Sequence, residues 1–218
     1  MAKGSGNQQL CVITPGPAQK KVGRRKLACD GQRSRIKELS MAKPDAPFTP
    51  LSIAVLTVSD TRTLDTDTSG QLLSDSLIEA GHQLADRQLQ PDDIYQIRAT
   101  VSAWIARSDV QVVLITGGTG FTGRDSTPEA ITPLLDKLVD GFGELFRHIS
   151  WQEIGTSTLQ SRALAGLANR TLVVCVPGST NACRTAWTKI LQEQLDARTR
   201  PCNFVQHLGS AELCDSRA

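Results

Sequence analysis

The sequence contains no long hydrophobic run. Its longest apolar stretches, such as Leu172–Val176, are strand-sized. A membrane-spanning helix needs ~18–20 apolar residues, so a membrane protein of that kind is excluded. Paired metal ligands are missing as well. Cysteines stand at positions 11, 29, 175, 183, 202 and 214, with no C-x-x-C pair and no histidine at zinc-finger spacing. His82, His148 and His207 show no metal spacing among themselves. The G-x-S-x-G elbow expected of a Ser/His/Asp hydrolase does not occur, and no internal repeat is present. The head has no apolar h-region of a secretory signal. Cys175 falls inside an apolar run, where a buried reduced thiol is expected, and a cytoplasmic setting fits both features.

Positive charge is scarce in the body of the chain. Residues 1–46 hold ten Lys or Arg against Asp30, Glu38 and Asp45, a surplus of +7, which leaves −5 for the rest of a chain whose total is +2. A duplex-binding domain needs a basic face on the fold itself, so nucleic acid is not an expected partner. The basic head, rich in Gly, Pro and Gln and without apolar periodicity, reads as a disordered extension. Met41 offers an alternative start. Residues 47–210 hold the expected domain and 211–218 a short tail.

What is present is an alternation of strands and helices. Leu51–Val58 is a continuous apolar run suited to a sheet covered on both faces. Ser59–Ser69 is polar. Asp67 or Thr68 caps a helix running to Ala80, with Gly81 as its stop and Leu72, Leu73, Leu77 and Ile78 as its stripe. Leu84–Leu89 is a weaker strand. Pro91–Asp92–Asp93 opens a second helix, with Asp92 at or near its cap and Ile94, Ile97, Val101, Trp104 and Ile105 at helical spacing. Val110–Thr116 is the second strong strand. The glycine-rich segment Gly117–Asp125 follows it, and Thr127–Pro128 start a helix. Gly141–Ser150 reads as helical, the stretch to Leu167 as mixed, and Asn169–Arg170 as a hairpin turn. Thr171–Val176 is the third strong strand, ended by Pro177–Gly178, with Ser179 capping a helix through Leu195. Cys202–Leu208 reads as extended. Trp104, Trp151 and Trp187 read as core or interface anchors. The order predicts an α/β fold with a parallel sheet and helices on both faces.

Ligands of open α/β sheets sit beyond the carboxyl ends of the strands. Three loops leave strong strands at that end: Ser59–Asp67, Gly117–Asp125 and Pro177–Ser179. All carry small residues with hydroxyls or carboxylates. In Thr116-Gly-Gly-Thr-Gly-Phe-Thr-Gly-Arg-Asp125 the glycines let backbone N–H groups approach an anion closely. Gly118, Gly120 and Gly123 match G-x-G-x-x-G, but no helix begins inside the motif and no acidic residue follows at the dinucleotide distance, which argues against NAD(P). The Lys and Ser/Thr of a P-loop are also missing. Asp92 and Asp125 each lie near a helix start. Two carboxylates beside a phosphate loop can hold Mg2+, which binds through one or two carboxylates plus substrate phosphates. The alternative for each is a plain N-cap. Ser161–Arg162 either binds a phosphate or an amide group of a ligand, or forms a solvated turn.

These motifs resemble the MoaB/MogA molybdopterin-binding family from about Pro47 to Leu208. The segments that carry the resemblance are IAVLTVSDTR, DTSGQLL, PDDIYQIRATVSAWI, VVLITGGTGFTGRDSTPEA, GFGELFR, IGTSTLQSRALAG, VVCVPGSTNACRTAW and LDARTRPCNF. The last three place it nearest the MoaB branch. The resemblance implies a three-layer αβα sandwich with a mostly parallel sheet, assembled as a homo-trimer or hexamer. It implies binding of molybdopterin and its adenylylation with Mg-ATP (or GTP), releasing pyrophosphate. On it, Asp92 and Asp125 are the catalytic, Mg2+-holding pair. Gly117, Gly118, Thr119, Gly120 and Thr127 would bind nucleotide phosphate. Ser59, Asp60, Asp67, Ser161, Arg162, Pro177, Gly178 and Ser179 would bind the pterin. Some MoaB-type members bind molybdopterin without adenylylating it and differ at the Asp92 position. Aspartate here favours the enzyme; a non-catalytic homo-oligomeric carrier is the alternative.

Overall fold

The computed structural model describes residues 47–209. The expectations for the basic head and for the 211–218 tail lie outside the described residues. The elements run β1 (Ser52–Val58), α1 (Thr68–Glu79), β2 (Gln83–Gln90), α2 (Ile94–Ile105), β3 (Val112–Thr116), α3 (Thr127–Ile131), β4 (Lys137–Leu138), α4 (Asp140–Ile154), β5 (Leu164–Ala168), β6 (Thr171–Val176), α5 (Thr180–Ala186) and α6 (Gln192–Gln194). A π turn over Trp187–Leu191 joins α5 to α6, and a 3-10 turn over Gly155–Gln160 follows α4.

Six strands form one sheet in the order β2-β1-β3-β6-β5-β4. The pairs β1·β2, β1·β3 and β3·β6 are parallel, whereas β5 runs antiparallel to both β6 and β4. The sheet divides two cores by the period of the strands. Ile53, Val55, Val112, Leu114, Leu172 and Val174 face α1, α4, α5 and the π turn, where Leu73, Leu77, Phe142, Phe146, Cys183 and Trp187 are buried. Ala54, Leu56, Val113, Ile115, Val173 and Cys175 face α2 and α3, where Ile97, Val101, Trp104, Ala130 and Ile131 are buried. This is the expected three-layer α/β architecture. Among the described residues no helix is long and apolar enough to cross a membrane.

Several local expectations are corrected. The mixed stretch before Leu167 contains β5, whose small residues Ala165 and Gly166 gave little apolar signal. Leu135 and the Lys137 carbonyl pack where a Gly166 side chain would stand. Cys202–Leu208 is not extended but turns through a 3-10 segment at Val205–His207. Ile78 and Trp151 are exposed, so neither anchors the core. The cap of α2 is Asp93, whose carboxylate accepts from the amides of Tyr95 and Gln96. Asp92, one residue earlier, does not cap the helix.

Candidate functional site

β1, β3 and β6 are neighbours and parallel, so their carboxyl ends open at one edge of the sheet. Thr57 is level with Thr116, and Thr116 with Val176. The three following loops then meet at Gly117. Its amide donates to the Val176 carbonyl at 3.1 Å. Its φ is +100°, and a methyl group on it would lie 2.1 Å from the Val58 carbonyl oxygen. A methyl on Gly178 would stand 3.2 Å from the Gly117 Cα. Only glycine permits this approach. The Thr116 hydroxyl adds a bond to the Pro177 carbonyl at 3.1 Å.

A cleft of about 610 Å³ opens over this junction. Ser59, Gly117, Gly118, Thr119, Gly120, Asp125, Ser161, Pro177, Gly178 and Ser179 line it, so all three anticipated loops contribute. Its volume falls in the ~300–1,000 Å³ range of small-molecule sites. The Ser59 hydroxyl accepts from the amides of Thr61 and Arg62 and shapes the first loop. The Ser179 side chain caps α5 by accepting from the Ala182 amide at 3.2 Å.

The remaining sequence candidates stand outside the cleft lining, and their contacts explain why. Thr127 is buried and ties the glycine loop from below. Its hydroxyl donates to the Gly117 carbonyl and its amide to that of Gly118, each at 2.9 Å. Arg162 donates to the carbonyls of Thr119 (3.2 Å) and Asp125 (2.9 Å), pairs with Glu129 and stacks over Phe121. Its guanidinium straps the loop. The solvated-turn reading of Ser161–Arg162 does not hold. Asp60 forks onto Arg124 at 2.7 and 3.0 Å, and that hydrogen bond holds its carboxyl below the usual range. Asp67 is the buried cap of α1. Burial alone would raise its pKa, but the Gly70 amide, the Thr57 hydroxyl and the Arg87 guanidinium outweigh this and lower it.

Neither Asp92 nor Asp125 is a helix cap. One oxygen of Asp92 accepts from the Ser126 amide at 3.0 Å and from the Ser126 hydroxyl. Its other oxygen lies against Gly118, where a methyl would sit 2.7 Å from it. Asp125 accepts from the Thr122 hydroxyl at 2.6 Å and amide at 2.8 Å, and the hydroxyl bond is the main cause of its lowered pKa. Asp125 stands against Gly120 as Asp92 does against Gly118, so the two carboxylates brace one loop. Asp125 lines the cleft and Asp92 does not. Among the described residues no cluster of three or more His, Cys, Asp or Glu could hold a metal ion. The donor set therefore fits a divalent cation only with ligand oxygens completing its shell.

Sequence reasoning missed a second wall. Phe146, Ser150 and Ile154 of α4, with Ser157 and Gln160 after it, line the cleft, as do Arg62 and Asn181. The rule of strand ends does not reach a helix flank. Arg62 was within view, closing the IAVLTVSDTR segment beside Ser59.

Residues 54–197 match the family described as "Probable molybdopterin binding domain". The chain is 60% identical over 168 residues to molybdenum cofactor biosynthesis protein B of Escherichia coli (strain K12), covering 77% of this chain and 99% of that one. It is 48% identical over 142 residues to the protein of that name from Bacillus cereus, covering 65% and 84%. Among solved structures, a molybdenum cofactor biosynthesis protein B superposes with a TM-score of 0.66 at 47% identity, covering 69% of this chain and 93% of that chain. The tungsten cofactor synthesizing protein MoaB from Pyrococcus furiosus does so with a TM-score of 0.61 at 36% identity, covering 68% and 94%. On the match to the domain and to relatives spanned almost end to end, the chain belongs to the molybdopterin-binding family of molybdenum cofactor biosynthesis proteins.

Proposed function

We propose that the cleft at the ends of β1, β3 and β6 binds molybdopterin and adenylylates it with Mg-ATP. The observation that carries this reading is the glycine loop braced by Asp92 and Asp125, opening with Asp125 into a cleft of about 610 Å³. Closely approaching backbone amides suit phosphate oxygens. The terminal phosphate oxygen of molybdopterin would attack the α-phosphorus of ATP. The bond from that phosphorus to the bridging oxygen would break, and pyrophosphate would leave. Mg2+, held by Asp92 and Asp125 with phosphate oxygens, would offset the charge that builds on the transferring group. The protein's own part is to align donor and acceptor and to shield them from water.

A second reading, a binding protein without transfer activity, is favoured by one observation. Asp92 is engaged by Ser126 and does not line the cleft. Pyrophosphate release with molybdopterin and Mg-ATP separates the two. The transferase releases it, and Asp125→Asn reduces turnover by at least about a hundredfold while retaining the fold, as loss of one charge-stabilising group does. No release from the wild type, with molybdopterin still bound, would leave the carrier.

A further inference from the structure

Among the described residues that line the cleft, Arg62 is the one cation and Asp125 the one anion. Arg62 is held on three sides. Its guanidinium donates to the Ser69 hydroxyl at 3.0 Å and to the Gly178 carbonyl at 3.4 Å, and it stands 3.5 Å from Asp67. Ser69 itself donates to the Gly178 carbonyl at 2.8 Å. The side chain is therefore fixed against the loop that packs on Gly117, yet 32% of it stays exposed.

Asp67 does not neutralise it. That carboxylate is completely buried and is paired more closely with Arg87, at 3.1 Å. Two guanidinium groups thus share one carboxylate, and the surplus positive charge falls on the partner that lines the cleft. The neighbouring Cys183 thiol adds no anion, since burial pushes its pKa up to about 11. Elsewhere on the wall the Ser161 hydroxyl is buried without a hydrogen-bond partner. The cleft thus holds a preset cation at one loop junction and an unpartnered hydroxyl, that of Ser161, on its wall.

We propose that Arg62 is the phosphate-binding residue of this cleft, setting which end of a phosphorylated ligand lies at the Gly117–Gly178 junction. Planar guanidinium groups recognise phosphate by paired charge-assisted bonds. Three supports held by other residues make that recognition preorganised. The proposal rests on the functional reading above and deepens it by naming the group that orients the ligand. The phosphate belongs either to molybdopterin or to the nucleotide.

Titrations of full-length wild type, Arg62→Gln and Arg62→Lys with molybdopterin, with Mg-ATP and with phosphate-free 6-hydroxymethylpterin decide it. Arg62→Gln is expected to weaken a phosphate-bearing ligand by about ten- to a hundredfold, the range of a charge-assisted pair. Arg62→Lys should recover part of the loss, and 6-hydroxymethylpterin should bind all three proteins alike. A loss confined to molybdopterin assigns the pterin phosphate to Arg62, and a loss confined to Mg-ATP assigns the nucleotide. Equal loss for the phosphate-free pterin would make Arg62 a strut only, and unchanged affinities for both phosphate ligands would also overturn the proposal. If the wild type binds no molybdopterin, the functional reading itself falls, and the Mg-ATP arm alone still judges Arg62.

Discussion

At the residue scale the site depends on positions with no tolerance for a larger group. Gly117 combines a φ of +100° with a neighbouring carbonyl 2.1 Å from where a methyl would stand. Gly117→Ala must therefore move β1 or the loop. The backbone strain alone costs ~1–3 kcal/mol, so denaturant unfolding should show at least that loss, together with loss of ligand binding. Asp67 is a different dependence. With its side chain fully buried between Arg62 and Arg87, Asp67→Asn strands two guanidinium groups on one neutral amide. A broken buried pair costs ~3–5 kcal/mol; both arginines keep some solvent, so the lower end is expected. The pKa of Asp67 is depressed in the folded chain. Its stabilising contribution is present above the unfolded carboxylate value of ~3.9 and is lost as pH falls below it. Acid unfolding curves of wild type and Asp67→Asn should converge there.

At the element scale the strong strands and the helices with clear stripes were legible because burial on both faces writes itself as an apolar run. β1, β3 and β6 lie where LSIAVLTV, VQVVLIT and TLVVCV place them. The three loops converge because those strands are adjacent and parallel, which the ligand rule for α/β sheets anticipates. β5 was not legible, since Ala165 and Gly166 are small to fit beneath Leu135. The role of Asp92 stays open in the sequence for a physical reason: two successive aspartates precede α2, and only geometry shows that the second makes the cap. The α4 side of the cleft escaped notice because its residues come from a helix flank. The β5–β6 hairpin was read correctly from Asn169–Arg170, and both residues have positive φ, 45° and 66°. Such turns favour Asn-Gly. Arg170→Gly should relieve the left-handed strain and raise stability by ~1 kcal/mol in equilibrium denaturation, with Asn169 left to donate to the Ile105 carbonyl.

At the scale of the whole molecule, the end of the sheet opposite the cleft carries a pH dependence. His82 is buried between Phe48 and Trp187, and its Nδ1 accepts the Leu51 amide at 3.2 Å. Burial lowers its pKa, with Asp196 opposing. The unfolded chain therefore takes up the proton first. Stability is complete above the unfolded histidine value of ~6.5 and declines as pH falls through it. The melting midpoint should drop between pH 7 and 5, and His82→Asn should flatten that slope. Cys175 and Cys183 are buried thiols in separate cores, whereas Cys202 is exposed. Their alkylation rates should follow global unfolding, with Cys202 labelled in the native state; fast labelling of Cys175 under native conditions would reveal a local opening.

The contact of Gly178 with Gly117, itself seated against Val58, leaves no slack between the segments it joins. None of them can shift alone, so a guest that presses on one is felt by the others within the same motion. Hydrogen exchange offers a direct reading. The amides of Arg62, Gly117 and Ala182, each bonded within this junction, should slow by a common factor when the cleft fills, and protection of a single one would mean that the three move independently.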